Sequence, residues 1–215
     1  MSDALACSGG RFDVYLLRMP VDSRSVGDPS SFLPLGHLQQ ALADRPAAPT
    51  DVGRVTGIIR RGVEGVREPM QRTRLTREQG VPGDKWGRTD DRNPVAQITV
   101  MEADVAALIA NGQSDELFGD QLFVTLDLSA ASLPIGSRVR IGTAVLEVTP
   151  QPHNGCQKFL ARFGAEALKF VAMKELRHRN LRGIYMTVIE DGEVAVDDAI
   201  TVVSRPASSL KLPEA

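Results

Sequence analysis

The chain has 215 residues, enough for one domain with a substantial core, and its apolar content of 42% and charged content of 24% are those of an ordinary globular protein. The 25 basic and 27 acidic residues leave a net charge of −2, which excludes nucleic-acid binding driven by bulk positive charge. Two cysteines, Cys7 and Cys156, exclude a disulfide scaffold and a cysteine-rich zinc site. The N-terminus lacks the pattern of a signal peptide, and no apolar run approaches the roughly 20 residues needed to span a bilayer. The expected location is therefore the cytoplasm, without a membrane partner.

In chain order, Phe12–Arg18 reads as a short strand, and Cys7 before it as an exposed bystander thiol. Leu35, Leu38 and Leu42 have helical spacing, which predicts a short helix over His37–Asp44 that Pro46 and Pro49 close. Residues 1–51 read as an extension packing on a main domain at 52–204, with 205–215 as a flexible tail. Val55–Arg60 and Pro94–Val100 are strand candidates, and residues 61–93, polar and rich in Arg, Gly and Asp, read as long loops. A helix is expected over Glu102–Ala110, stopped by Asn111-Gly112, and a strand over Leu122–Leu126. Two hairpins are expected. Ser137–Ile141 turns at Gly142-Thr143 into Ala144–Val148, and Gly183–Ile189 turns at Asp191-Gly192 into Glu193–Val196. Between them Phe159, Leu160, Phe163, Ala167, Leu168 and Val171 mark the buried face of a helix starting near Cys156, with Gly164 as a candidate interruption. Short strands with few helices predict a mainly β fold built on a closed or nearly closed barrel.

Three clusters carry candidate chemistry. Cys156 opens a helix, where the dipole and unpaired N–H groups favour a thiolate, the form that ligates metals and attacks electrophiles. By spacing alone it better suits a small buried residue, since free cysteine is among the most buried types. His153 is placed to accept its proton, Asn154 or Gly155 to cap the helix, and Lys158 to lie in the first turn. In Gly83-Asp84-Lys85-Trp86-Gly87-Arg88, Lys85 and Arg88 suit phosphate and Trp86 a flat ring, although a plain turn-rich loop explains the same residues. In Lys174–Gly183 the basic residues complement a helix C-terminus. Arg182, set against Gly183 at a strand start, is equally a candidate anion ligand.

The order of these pieces resembles the MOSC domain, the C-terminal domain of molybdenum-cofactor sulfurases. The pieces are Gly83-Asp84, a strand–helix unit, Phe118-Gly119-Asp120-Gln121-Leu122, Pro134-Ile135-Gly136-Ser137, Ile141–Thr149, Cys156, Arg182-Gly183-Ile184-Tyr185 and Asp191-Gly192-Glu193-Val194, spread over roughly 52–203. The resemblance implies a MOSC-type β-barrel with one reactive cysteine, here Cys156, that ligates molybdenum or carries sulfur as a persulfide. It further implies a pterin molybdenum cofactor approached by Arg182, Lys85 and Lys158, with Asp120 and Asn154 as polar contacts and His153 beside the catalytic thiol. The implied activity is reduction of N-hydroxylated or related small molecules with electrons from an external donor protein. The alternatives are a sulfur carrier loaded by a pyridoxal-phosphate-dependent desulfurase, and a non-catalytic ligand-binding barrel. Four positions depart from the family pattern. Gly155 stands where Pro often precedes the cysteine, Gly119-Asp120-Gln121 where Gly-Glu-Asn is usual, and Asp197-Asp198 where Gly-Asp is usual; Trp86 lies near the place of a missing histidine.

Overall fold

The computed structural model describes residues 24–206; the expected strand at Phe12–Arg18, Cys7 and most of the expected tail lie outside them. Ten strands and three α-helices follow one another. They are α1 (Leu35–Asp44), β1 (Val52–Arg61), β2 (Arg67–Pro69), β3 (Arg72–Leu75), β4 (Ile98–Glu102), α2 (Ala103–Ala110), β5 (Leu122–Val124), β6 (Arg138–Ile141), β7 (Ala144–Val148), α3 (Gln157–Ala172), β8 (Ile184–Glu190), β9 (Gly192–Ala195) and β10 (Ala199–Ser204). Seven strands run in the order β10-β6-β7-β8-β4-β5-β1, and β1 pairs back onto β10, so the sheet closes on itself. Closure removes the sheet's open edges. The expected barrel and its mainly β class are thus observed. Among the described strands only β4 and β5 run parallel, joined through α2, as a crossover connection requires.

The alternation of apolar and polar residues sets what fills the barrel. In β6, Val139 and Ile141 point inward while Arg138 and Arg140 are exposed, and β7 adds Ala144, Leu146 and Val148 to the same interior. A second core lies outside the barrel wall. There Ile59, Met101 and Phe123 pack against Leu38 and Leu42 of α1, Val105 and Ile109 of α2, and Phe159, Phe163 and Phe170 of α3. The leucine spacing that predicts α1 is the face it buries, and Asn111 and Gly112 end α2 in left-handed backbone. Gly164 does break α3: at φ 85 it leaves helical geometry, and a Cβ there would lie 2.7 Å from the Phe32 ring. No helix among the described residues is long and apolar enough to cross a membrane.

The structure corrects three readings of the sequence. The first hairpin forms with Arg138 opposite Glu147 and Ile141 opposite Ala144, but the second does not. Both edges of β8 are already taken, by β7 and β4, so β9 pairs with β3 instead, Arg72 opposite Ala195. Asp191 and Gly192 have no positive φ, and the Asp191 carboxylate accepts from the Arg77 backbone N–H at 3.0 Å. The stretch at 61–93 is not all loop, since it holds β2 and β3. Pro94–Ala96 is a turn of 3-10 helix, so the strand expected from Pro94 begins at Ile98.

Gly183 shows how tightly β8 starts. Its φ is +87, and a Cβ there would lie 2.4 Å from the Val100 carbonyl oxygen, which is backbone and cannot yield easily. Substitution Gly183→Ala is expected to lower stability by about 2–4 kcal/mol through strain and clash together. Urea unfolding checks this, with Gly112→Ala as the comparison, because at Gly112 the φ is similarly positive but no atom lies within 4 Å.

Candidate functional site

At one end of the barrel, where β1, β4, β8 and α3 converge with the loops at 62–66 and 83–88, a cavity of about 400 Å³ opens. Seven cationic side chains line it: Arg61, Arg67, Lys85, Arg88, Lys158, Arg162 and Arg182. Glu64 is the single acid in the lining. It sits on the tight connection from β1 to β2, in left-handed backbone at φ 54, and Gly65 beside it has φ 83. Such a density of like charge in a partly enclosed hollow favours an anion.

Buried carboxylates hold two of the arginines in place. Asp84 is fully buried and accepts from Arg61 three ways: the backbone N–H at 2.8 Å, Nε at 3.0 Å and a terminal nitrogen at 2.7 Å. Burial pushes the Asp84 carboxyl up, but the Arg61 guanidinium and the N–H groups of Trp86 and Arg61 outweigh it and hold the group below the usual carboxylate range. Asp120, also fully buried, accepts from Arg182 at 2.6 Å, and Arg182 lies over the Phe159 ring at 5.2 Å. Gln121 completes this frame. Its amide donates to the Gln97 carbonyl at 3.1 Å and to Asp84 at 3.4 Å, while its oxygen accepts from the Thr99 backbone N–H at 2.8 Å. The acid–amide pair after Gly119 therefore positions arginines and strands from behind the cavity wall.

Two donors are left over. Among the described residues, Nε of Arg67 and Nε of Arg182 are buried without a hydrogen-bond partner, on residues that are each 7% exposed and line the cavity. Burial, then the charges of Arg162 and Arg61, bring Arg67 down to about 10, so it remains charged at neutral pH among other cations. Unsatisfied buried donors on like-charged groups fit a ligand that brings anionic acceptors.

Cys156 is the N-cap residue of α3, exposed, free and on the rim of this cavity. The reading as a small buried residue is thereby excluded. Neither Asn154 nor Gly155 caps the helix, and the N-cap has no side-chain hydrogen bond. Among the described residues no group of three His, Cys, Asp or Glu side chains could hold a metal, so Cys156 stands as a single protein donor. His153, its side chain 8% exposed, stacks at a tilt against Tyr185 with centroids 4.6 Å apart. Burial first, then Arg182 and Arg61 against the opposing Asp120, bring its imidazole down to about 3. It is neutral at any pH near 7.

Of the residues singled out from the sequence, Cys156, His153, Arg182, Lys85 and Lys158 all line the cavity. Asp120 lies behind it, with both oxygens facing protein groups: Arg182 and His153. Asn154 is exposed and lines a neighbouring hollow with Leu168, Val171 and Arg177, which shares His153 and Arg182 with the main cavity. Trp86 does not line the cavity; its indole donates to the Asn93 carbonyl and Arg92 covers its ring. Sequence reasoning missed Arg61, Arg67 and Arg162. Arg162 had a signal: it falls on the helical face between Phe159 and Phe163, is only 3% exposed and donates to the Leu117 carbonyl at 2.8 Å.

The neutral, buried His153 has a pH consequence. The unfolded chain protonates this ring below its ordinary value of 6.5 while the folded protein does not, so stability is fully present above that value and falls as pH drops toward 3. The loss is about 2 kcal/mol between pH 6.5 and about pH 5, at roughly 1.4 kcal/mol per unit. Urea unfolding at these two pH values is expected to show it in the wild type and to show much less of it in His153→Gln.

The YuaD protein from Bacillus subtilis has a similar structure, with a TM-score of 0.53 at 18% identity, over 70% of this chain and 95% of that one. YiiM from Escherichia coli matches with a TM-score of 0.48 at 21% identity, over 71% of this chain and 70% of that one. No curated protein matches the sequence. The family model of the MOSC domain matches residues 93–201, half of the chain, which takes in the stretch from β4 through Asp120, Cys156 and Arg182 to β10. The chain belongs to the MOSC domain family.

Proposed function

We propose that this protein binds a pterin molybdenum cofactor in the cationic cavity, with Cys156 as the protein ligand to the metal, and that it supports reduction of N-hydroxylated or related small molecules. The observation that carries this reading is the exposed Cys156 thiol on the rim of a cavity lined by seven cations, two of which have unpartnered buried donors. Arg67 and Arg182 would meet the cofactor's anionic groups from the inside, Lys85, Arg88 and Lys158 from the rim. A thiolate is a soft donor suited to a metal already held by sulfur ligands. The bound centre would supply the redox chemistry, and an external donor protein the electrons, since the sequence carries no flavin or iron–sulfur motif. The chain's own work is to orient the cofactor through fixed guanidinium groups and to keep neutral His153 beside it.

The exposure of the thiol also favours a second reading, a sulfur carrier. A residue that takes persulfide sulfur from a pyridoxal-phosphate-dependent desulfurase must be reached by another protein, as Cys156 can be.

The test is metal and pterin analysis of protein purified from cells competent in cofactor synthesis. Near-equimolar molybdenum and pterin are expected in the wild type. Cys156→Ser is expected to lose the metal, and Arg67→Met to lose both cofactor parts at least about tenfold, the size of effect that removing a charge-assisted contact brings. Negligible metal in wild type and Cys156→Ser alike would sink the cofactor reading. A sulfur adduct on Cys156 by mass spectrometry, after incubation with a desulfurase and cysteine, would then favour the carrier.

A further inference from the structure

Two buried polar atoms behind the cavity face one another. Asp120 Oδ1 and His153 Nδ1 are 3.7 Å apart, and among the described residues both lack a hydrogen-bond partner in a region closed to solvent. The other carboxylate oxygen of Asp120 is committed to Arg182 at 2.6 Å. An ionised carboxylate oxygen only accepts, so a neutral histidine beside it is stabilised when Nδ1 carries the proton. We propose that Asp120 is a positioning residue that fixes His153 in the Nδ1–H tautomer, leaving the Nε2 lone pair as a hydrogen-bond acceptor for a ligand in the cavity.

The charged and titratable groups around the ring agree with this assignment. Arg182 and Arg61 disfavour a second proton, Asp120 supplies the single negative charge, and Tyr185 packs on the ring face. The acceptor has a use because the lining is otherwise rich in donors: arginine and lysine only donate. A ligand held there brings acceptors for the cations, and an N–H or O–H for Nε2. A phosphorylated, amino-bearing heterocycle and an N-hydroxylated substrate both have such a donor. The purpose of the tautomer rests on the cofactor reading, but its test does not, because protonation of the ring nitrogens is read without metal or turnover.

Substitution Asp120→Asn separates a fixed tautomer from a merely structural role. Arg182 offers only donors, so the carbonyl oxygen of the introduced amide must take over its hydrogen bond, which turns the amide NH₂ toward His153 Nδ1. That nitrogen must then hold the lone pair, and the proton moves to Nε2. Long-range ¹H–¹⁵N correlation of histidine-labelled protein at neutral pH distinguishes the two patterns. The expected result is Nδ1–H for His153 in the wild type and Nε2–H in Asp120→Asn, with the patterns of His37 and His178 unchanged. An Nε2–H ring in the wild type overturns the proposal whatever the variant does to the fold. An unchanged Nδ1–H ring in a folded variant overturns it as well.

Discussion

The strands and loops around the cationic end of the barrel are tied together by a carboxylate that solvent does not reach. Asp84 grips Arg61 through three donors and takes the Trp86 backbone N–H at 2.9 Å as a fourth. Through Gln121 it is tied to Thr99 and to the Gln97 carbonyl, and Gln97 in turn accepts from the Val188 N–H at 2.7 Å and donates to the Arg77 carbonyl at 2.9 Å. One buried polar network thus joins β1, β4, the start of β5, β8 and the loop at 76–86. Such a network rigidifies when every member is satisfied, and removing one partner of a buried ion pair costs about 3–5 kcal/mol because the other charge is stranded.

The same arrangement explains how one chain of net negative charge concentrates so many cations around one cavity. Asp84 and Asp120 neutralise Arg61 and Arg182 from behind, so the guanidinium groups are held at fixed positions without closing the front of the site. Among the described residues Arg67 has no such carboxylate partner, and burial and then the repulsion of Arg162 and Arg61 lower its value. A group in this position is stabilised by a bound anion and destabilised without one. Stability and ligand affinity are therefore coupled at Arg67 by the same electrostatic term.

Much of the barrel could be read from residues, and the failures have physical causes. Alternating patterns in Arg138–Val148 showed β6, β7 and their turn, because that hairpin's register is a local property. Asp191-Gly192 misled because a turn dipeptide cannot say whether its strand has a free edge, and β8 has none. β2 was hidden by its length of three residues, and β3 by arginines that face a partner strand, β9, far away in sequence. At the site, Cys156 and Arg182 were visible from the family order of motifs, while Arg61 and Arg67 were not, since only closure of the barrel brings them to α3. At the Asp197-Asp198 departure from the family pattern, Asp197 takes the left-handed conformation, φ 71, that a glycine would take, and Asp198 accepts from the Ala195 N–H at 2.8 Å.

Arginines, two of them anchored by buried carboxylates and one with an unpartnered buried donor, build an anion site beside Cys156. Calorimetric titration with a phosphorylated pterin, on the metal-free wild type and on Arg67→Met, tests it most directly. Saturable binding is expected in the wild type, weakening with salt and falling at least about tenfold in the variant. Binding of equal strength in both proteins, or none in either while both remain folded, would contradict it.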